Sequence, residues 1–170
     1  MDKINLKGFP VRLVDDVTEP GKEAEDVTFV THDLNEVSLH DLESKVKVVI
    51  SVPSLDTGVC KAEARKFNEE IGKREDVLGI VISKDLPFAA KRFCETDGIS
   101  NIMAVSDYRY GDFGRDFGTE MAEGALKGLL ARVVFVIDED NMVVHTEMSS
   151  DILEEPDYDA ILAKVDLLLN

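Results

Sequence analysis

Apolar and polar positions along this chain switch between two periods. β-Branched runs of strand length stand at Val46-Lys47-Val48-Val49-Ile50-Ser51-Val52, at Val77-Leu78-Gly79-Ile80-Val81-Ile82 and at Arg132-Val133-Val134-Phe135-Val136-Ile137. Each predicts a buried strand. Between the first two, Cys60, Ala64, Phe67 and Ile71 recur at helical spacing, which predicts a helix from about Cys60 to Lys73. Pro87 can start a second helix, containing Phe88, Ala89, Phe93 and Cys94, and a weaker strand follows at Ile102-Met103-Ala104-Val105. Strand, helix and strand in this order argue for a βαβ unit with a parallel pair, the helix supplying the crossover. Asp138-Glu139-Asp140-Asn141 is a turn joining the 132–137 strand to Met142-Val143-Val144-His145, a hairpin at one side of the sheet. Pro156 opens a last helix with one apolar face made by Tyr158, Ile161, Leu162, Val165, Leu168 and Leu169.

The N-terminal part reads differently. Ile4-Asn5-Leu6 and Val11-Arg12-Leu13, separated by Gly8-Phe9-Pro10, predict a β-hairpin. The acidic stretch from Asp15 to Asp26 carries Pro20-Gly21 and predicts a surface loop leading to a strand at Val27-Thr28-Phe29-Val30. The whole is an α/β chain, a central mixed sheet flanked by helices. Residues 1–170 are expected to form a single domain, with 1–26 as a hairpin and loop extension.

Composition narrows the function classes. With 170 residues and an apolar fraction of 44%, the chain can bury a proper core. Nineteen basic against thirty-five acidic side chains leave a formal charge of −16, which repels nucleic acid and anionic membrane. Neither is expected as a partner. The opening Met1-Asp2-Lys3-Ile4-Asn5-Leu6 lacks the apolar stretch of an export signal, and no apolar run approaches the ~20 residues of a membrane span, so a cytoplasmic protein is expected. Its two cysteines then read as reduced thiols, and a catalytic disulfide is the pairing to consider.

The candidate chemistry gathers where the first long strand meets the first long helix. Pro53 ends the strand and stiffens the turn, Gly58 lets the backbone pass close to a ligand, and Thr57 and Cys60 can face the same side of the first helical turn. Unpaired N–H groups and the positive end of the helix dipole favour a thiolate there, and a thiolate so placed is a nucleophile. In-line attack by such a thiolate also needs a donor that fixes the substrate and a charge that stabilises the leaving group. Cys60 supplies the first, the Thr57 hydroxyl the second and the planar fork of Arg132 the third, with Pro53 shielding the sulfur from water. Blander roles stand beside these: Thr57 as a helix cap, Arg132 as a partner for one of the many carboxylates, Pro53 as a turn residue, and Cys94 as a buried small hydrophobe.

Other constellations do not add up. His32, His40 and His145 share no metal-ligand spacing with the cysteines and read as surface or loop residues, so no metal is assigned. The acidic runs Asp15-Asp16, Glu23-Ala24-Glu25-Asp26 and Asp138-Glu139-Asp140 lack the periodicity of a calcium loop. Gly111, Gly114 and Gly118 are not followed by a phosphate-binding helix. No cofactor is expected.

The pattern Pro53-x-x-x-Thr57-x-x-Cys60 resembles the active-site loop of the peroxiredoxins. In its fuller wording, Pro53-Ser54-Leu55-Asp56-Thr57-Gly58-Val59-Cys60, it is similar to the bacterial thiol peroxidases, their atypical two-cysteine branch. The resemblance extends through Arg65-Lys66-Phe67-Asn68, Asp85-Leu86-Pro87-Phe88-Ala89 with Arg92-Phe93-Cys94, Gly128-Leu129-Leu130-Ala131-Arg132 and Glu155-Pro156-Asp157-Tyr158. It implies a thioredoxin-like fold with an N-terminal hairpin and a peroxidase acting on hydrogen peroxide and organic hydroperoxides. It further implies Cys60 as the attacking cysteine, Cys94 as the resolving cysteine of an intramolecular disulfide, and Arg132 as the residue that steadies the thiolate. Thioredoxin is the implied reductant and a homodimer the implied assembly. Cys60 on the first turn of one helix and Cys94 late in the next are poorly placed for a bond that needs Cα atoms within about 7 Å, so closing it calls for local unwinding. A redox-sensing binding module with the same fold is the alternative. A general disulfide oxidoreductase ranks third, because that chemistry uses Cys-x-x-Cys and position 57 is threonine.

Overall fold

β-Branched runs with both faces covered form the inner strands. The computed structural model describes residues 2–170. In chain order its strands and helices are β1 (Lys3–Leu6), β2 (Phe9–Arg12), β3 (Thr28–Thr31), β4 (Glu36–Ser38), β5 (Val46–Ser51), α1 (Gly58–Gly72), β6 (Val77–Ser83), α2 (Pro87–Asp97), β7 (Ile102–Ser106), α3 (Asp112–Asp116), β8 (Val133–Asp138), β9 (Val143–Met148) and α4 (Tyr158–Leu169). A 3₁₀ turn at Leu39–Asp41 follows β4. Among the described residues β1 and β2 pair only with each other, and the other strands form one seven-stranded sheet in the order β4-β3-β7-β6-β5-β8-β9. β5, β6 and β7 are mutually parallel, while β8 and β3 flank this trio antiparallel. The predicted βαβ unit and the edge hairpin of β8 and β9 are both present.

Strand alternation divides the core in two. Val48, Ile50, Val81, Ala104, Val134 and Val136 face the layer made by α1, α2 and α4. Val49, Ile80, Ile82, Val105 and Phe135 face the other way, toward Ile4 and Val11 of the N-terminal hairpin and Phe113 of α3. The hairpin therefore lies on the face opposite the long helices. Several hydrogen bonds hold it there, among them the bridge from Leu13 to Met121, the Ile152 amide donating to the Asn5 carbonyl at 2.8 Å, the Ala122 amide donating to the Arg12 carbonyl at 2.8 Å, and the Gly8 amide donating to Asp151 Oδ2 at 2.9 Å.

Several boundaries differ from the sequence expectation. The hairpin turns at Lys7 and Gly8, with φ of 52° and 82°, so Phe9 and Pro10 belong to β2 rather than to the turn. Two successive left-handed residues match the twist of paired strands, which is what a two-residue hairpin turn requires. α1 starts two residues before Cys60, and α4 starts at Tyr158, with Asp157 rather than Pro156 at its entrance, because the Asp157 carboxylate caps the Ala160 amide at 3.1 Å. β4 and α3 had no counterpart in the expectation. His145 lies within β9, the strand expected to hold it, beside Glu147, 3.0 Å away. Among the described residues, no helix is long and apolar enough to cross a membrane.

Candidate active site

β5 sits mid-sheet, and the chain leaving its end must turn sharply to start α1. Val52 and Pro53 are buried at that exit, and the Ser51 hydroxyl donates to the Ala131 carbonyl at 2.8 Å, bringing the entrance of β8 alongside. Ser54 organises the turn: its carbonyl accepts from the Thr57 amide and hydroxyl, both at 3.3 Å, and its hydroxyl accepts from the Asp56 amide at 3.1 Å. Thr57, extended at φ −88° and ψ 148°, is the N-cap of α1, its Oγ1 accepting from the Cys60 amide at 3.3 Å. That satisfies one of the free N–H groups of the first turn.

Cys60 is fully buried, and Arg132 reaches it from the residue before β8, with Nη2 3.2 Å from Sγ. The guanidinium is 1% exposed and its other two nitrogens are also engaged: Nη1 donates to Glu63 Oε2 at 2.6 Å and Nε to the Ile152 carbonyl at 2.8 Å. Burial opposes the charge on Arg132, but Cys60 and Glu63 outweigh it and hold the group above its ordinary value. Glu63 is fully buried on α1, one turn after Cys60. Burial pushes its carboxyl up to about 7 against the pull of Arg132, and Glu155 adds to the rise. Its second oxygen, Oε1, is buried with no hydrogen-bond partner among the described residues. Tyr158 closes this side, its hydroxyl donating to Glu155 at 2.6 Å and its ring meeting Phe67 edge-on at 5.3 Å. Burial and that bond raise the phenol above its usual range.

Beside Arg132, the residue that contacts the sulfur, lies a cavity of about 510 Å³ bordered also by Pro53, Thr57 and Val59. Leu6, Leu126, Leu129 and Ile152 make the rest of its wall apolar, so the N-terminal hairpin helps enclose it. Pro53, Thr57, Cys60 and Arg132 are thus brought to one place. Cys94 is set apart from them on α2, 9% exposed, bordering a second cavity of about 440 Å³ beside His32 and Ile99. Both thiols are unbonded. Burial, then Asp97 and Glu95, push the Cys94 thiol up. The two readings offered for Thr57 and Arg132 coexist: the cap borders the cavity, and the cation that contacts sulfur also pairs with a carboxylate.

The redoxin family profile matches residues 19–162. A thiol peroxidase of Aquifex aeolicus is 46% identical over 166 residues, spanning 98% of each chain. Another, of Leptospira interrogans, is 44% identical over 99% of this chain and 100% of its own length. The chain belongs to the redoxin family, among its thiol peroxidases. The crystal structure of a peroxiredoxin-like protein from Aquifex aeolicus superposes with a TM-score of 0.94 at 45% identity, covering 99% of this chain and 98% of its own. A thiol peroxidase from Chromobacterium violaceum retains the fold at 20% identity, with a TM-score of 0.89. The thioredoxin-like fold with an N-terminal hairpin is therefore borne out in this redoxin.

Sequence reasoning missed Glu63 and the Ile152 carbonyl, and it quoted Asp85 only within a block of the resemblance, with no role for its carboxylate, which accepts from Ser54 Oγ at 2.9 Å and the Leu55 amide at 2.7 Å. A signal for Glu63 existed: it lies at helical spacing from Cys60 on the stripe whose other members are apolar, where a carboxylate has no business without a cation.

Because the Glu63 carboxyl is raised in the folded protein, the native state binds its proton more tightly than the unfolded chain. Stability linked to Glu63 is therefore present below its ordinary value of 4.5 and lost as pH rises through about 7. Glu63→Gln removes this loss, so the variant should gain on the parent by up to about 3 kcal/mol between pH 5 and pH 8 in denaturant titrations. A pH-independent difference between the two would place the carboxyl outside this window.

Proposed function

We propose that Cys60 is the attacking cysteine of a peroxidase cycle in which Cys94 resolves the intermediate and thioredoxin returns the electrons. The observation that carries this reading is the 3.2 Å contact between Arg132 Nη2 and Cys60 Sγ in a fully buried site. Attack of the thiolate on one peroxide oxygen forms an S–O bond and breaks the O–O bond. The departing hydroxide or alkoxide takes a proton and leaves as water or alcohol, and the sulfur, two electrons poorer, becomes a sulfenic acid. Arg132 offers its charge to both the sulfur and the separating oxygen. The Thr57 hydroxyl already accepts from the Cys60 amide, and its one proton can turn from the Ser54 carbonyl to the peroxide. Pro53 contributes an apolar wall that keeps water from the sulfur. The largely apolar cavity supports organic hydroperoxides as substrates beside hydrogen peroxide.

In the second half, Cys94 gives up its proton and attacks the sulfenic sulfur, forming the S–S bond as the S–O bond breaks and water leaves. Burial of both sulfurs, with the Cys94 thiol raised, supports a step in which α2 and the first turn of α1 open. Two thiols of thioredoxin then supply the two electrons that restore both cysteines. Unbonded thiols fit a cytoplasmic setting, which cell fractionation checks. The homodimer reading is supported by Leu86 and Phe88, exposed apolar residues beside Asp85 and hence close to the active loop.

Cys60→Ser should abolish peroxide turnover while the fold persists, and Arg132→Lys, which keeps charge but loses the fork, should slow the first step on the order of a hundredfold in stopped flow. Undiminished turnover in either would remove the assigned role. Cys94→Ser should react once with peroxide and then accumulate sulfenic and sulfinic acid at Cys60, whereas the parent yields a peptide linking Cys60 to Cys94 by mass spectrometry. A disulfide between chains instead would make another thiol the resolver. Sedimentation at micromolar concentration should report a dimer, and a monomer there would dismiss the assembly.

A further inference from the structure

We infer that Asp85 is a positioning residue that holds the Cys60 turn closed and so sets how readily the site opens for disulfide formation. The inference rests on the Cys60–Cys94 cycle proposed above. Asp85 stands between β6 and α2, two residues ahead of the Pro87 that begins the Cys94 helix. Its carboxylate reaches some thirty residues back along the chain to the Cys60 turn: Oδ1 accepts from Ser54 Oγ at 2.9 Å, and Oδ2 from the Leu55 amide at 2.7 Å. On its own side it is firmly seated, with Oδ2 also accepting from Ser83 Oγ at 3.1 Å, its amide donating to that hydroxyl, and its carbonyl accepting from Ser106 Oγ. One carboxylate thus joins the segments that precede the two cysteine-bearing helices.

The consequence runs through Ser54. The same residue whose hydroxyl donates to Asp85 accepts from the Asp56 amide and from the Thr57 amide and hydroxyl, and Thr57 in turn caps Cys60. Fixing Ser54 fixes the cap, and the cap fixes the turn on which Cys60 sits. The other link between these segments, Arg92 to Asp56 at 4.0 Å, is exposed on both sides and contributes little. Hydrogen bonds to a charged acceptor are the stronger kind, so the Asp85 tie adds to the hold that Arg132 has on the first turn of α1 and resists unwinding from the N-terminal side. A firm tie favours peroxide attack, which needs the turn closed, and retards Cys94 attack, which needs it open. It thereby lengthens the interval in which a second peroxide can convert sulfenic to sulfinic acid.

The test is Asp85→Asn, nearly the same shape but uncharged and with one acceptor oxygen instead of two, so that either the Ser54 hydroxyl or the Leu55 amide loses its acceptor. The rate of disulfide closure divided by the rate of peroxide attack, both from stopped flow, should rise roughly tenfold or more. The sulfinic fraction formed at a fixed peroxide excess should fall. Amide exchange at Cys60 and Lys61 in the reduced protein should quicken, while amides of β5 and β8 keep their protection, a local signature that general destabilisation would not give. Ser54→Ala, which leaves the carboxylate and its bond to Leu55 in place, should shift all three readouts in the same direction by less, and serves if Asp85→Asn does not fold. An unchanged ratio, or closure and attack slowed alike, overturns the inference while leaving the cycle standing. Absence of any Cys60–Cys94 linkage in the parent overturns the cycle, and this inference with it.

Discussion

A guanidinium buried to 1% exposure is the constraint on which the site depends. Taking such a charge out of water costs several kcal/mol unless its donors are met, and three groups from two segments of the chain meet the three nitrogens of Arg132. α1 supplies both the sulfur and the Glu63 carboxylate, and the segment before α4 supplies the Ile152 carbonyl. None can move far without leaving a buried donor unpaired.

The sheet makes this arrangement possible by bringing distant parts of the chain side by side. β5 and β8 are antiparallel neighbours with Ser51 opposite Val133, so the exit of one strand and the entrance of the other meet at the same edge of the core. The Cys60 turn leaves from the first and Arg132 precedes the second. Long apolar strands buried on both faces give that junction little freedom.

How much of this was legible in the sequence follows from what each residue contributes to pattern. β5, β6, α1 and α4 announced themselves because their apolar positions repeat at the right period over enough residues. Pro53, Thr57, Cys60 and Arg132 were legible as residue types with an evident chemical use. β4 was not, since Glu36-Val37-Ser38 is too short to show alternation, and α3 was not, since Asp112–Asp116 holds one apolar residue and a glycine. Glu63 and Asp85 escaped for a related reason: in a chain with thirty-five acidic side chains, no single carboxylate stands out until its donors are placed in space.

Ile152 is engaged through both of its backbone polar groups, its amide donating to the Asn5 carbonyl of the N-terminal hairpin and its carbonyl accepting from Nε of Arg132. The hairpin, which forms no strand pair with the main sheet, is therefore coupled in series with the cation at the centre of the site. Slack introduced at Asn5, on the far side of the sheet from the helices, would be transmitted through a single backbone link to the guanidinium beside the sulfur. An appendage by topology is, in mechanical terms, a guy-rope of the reacting centre.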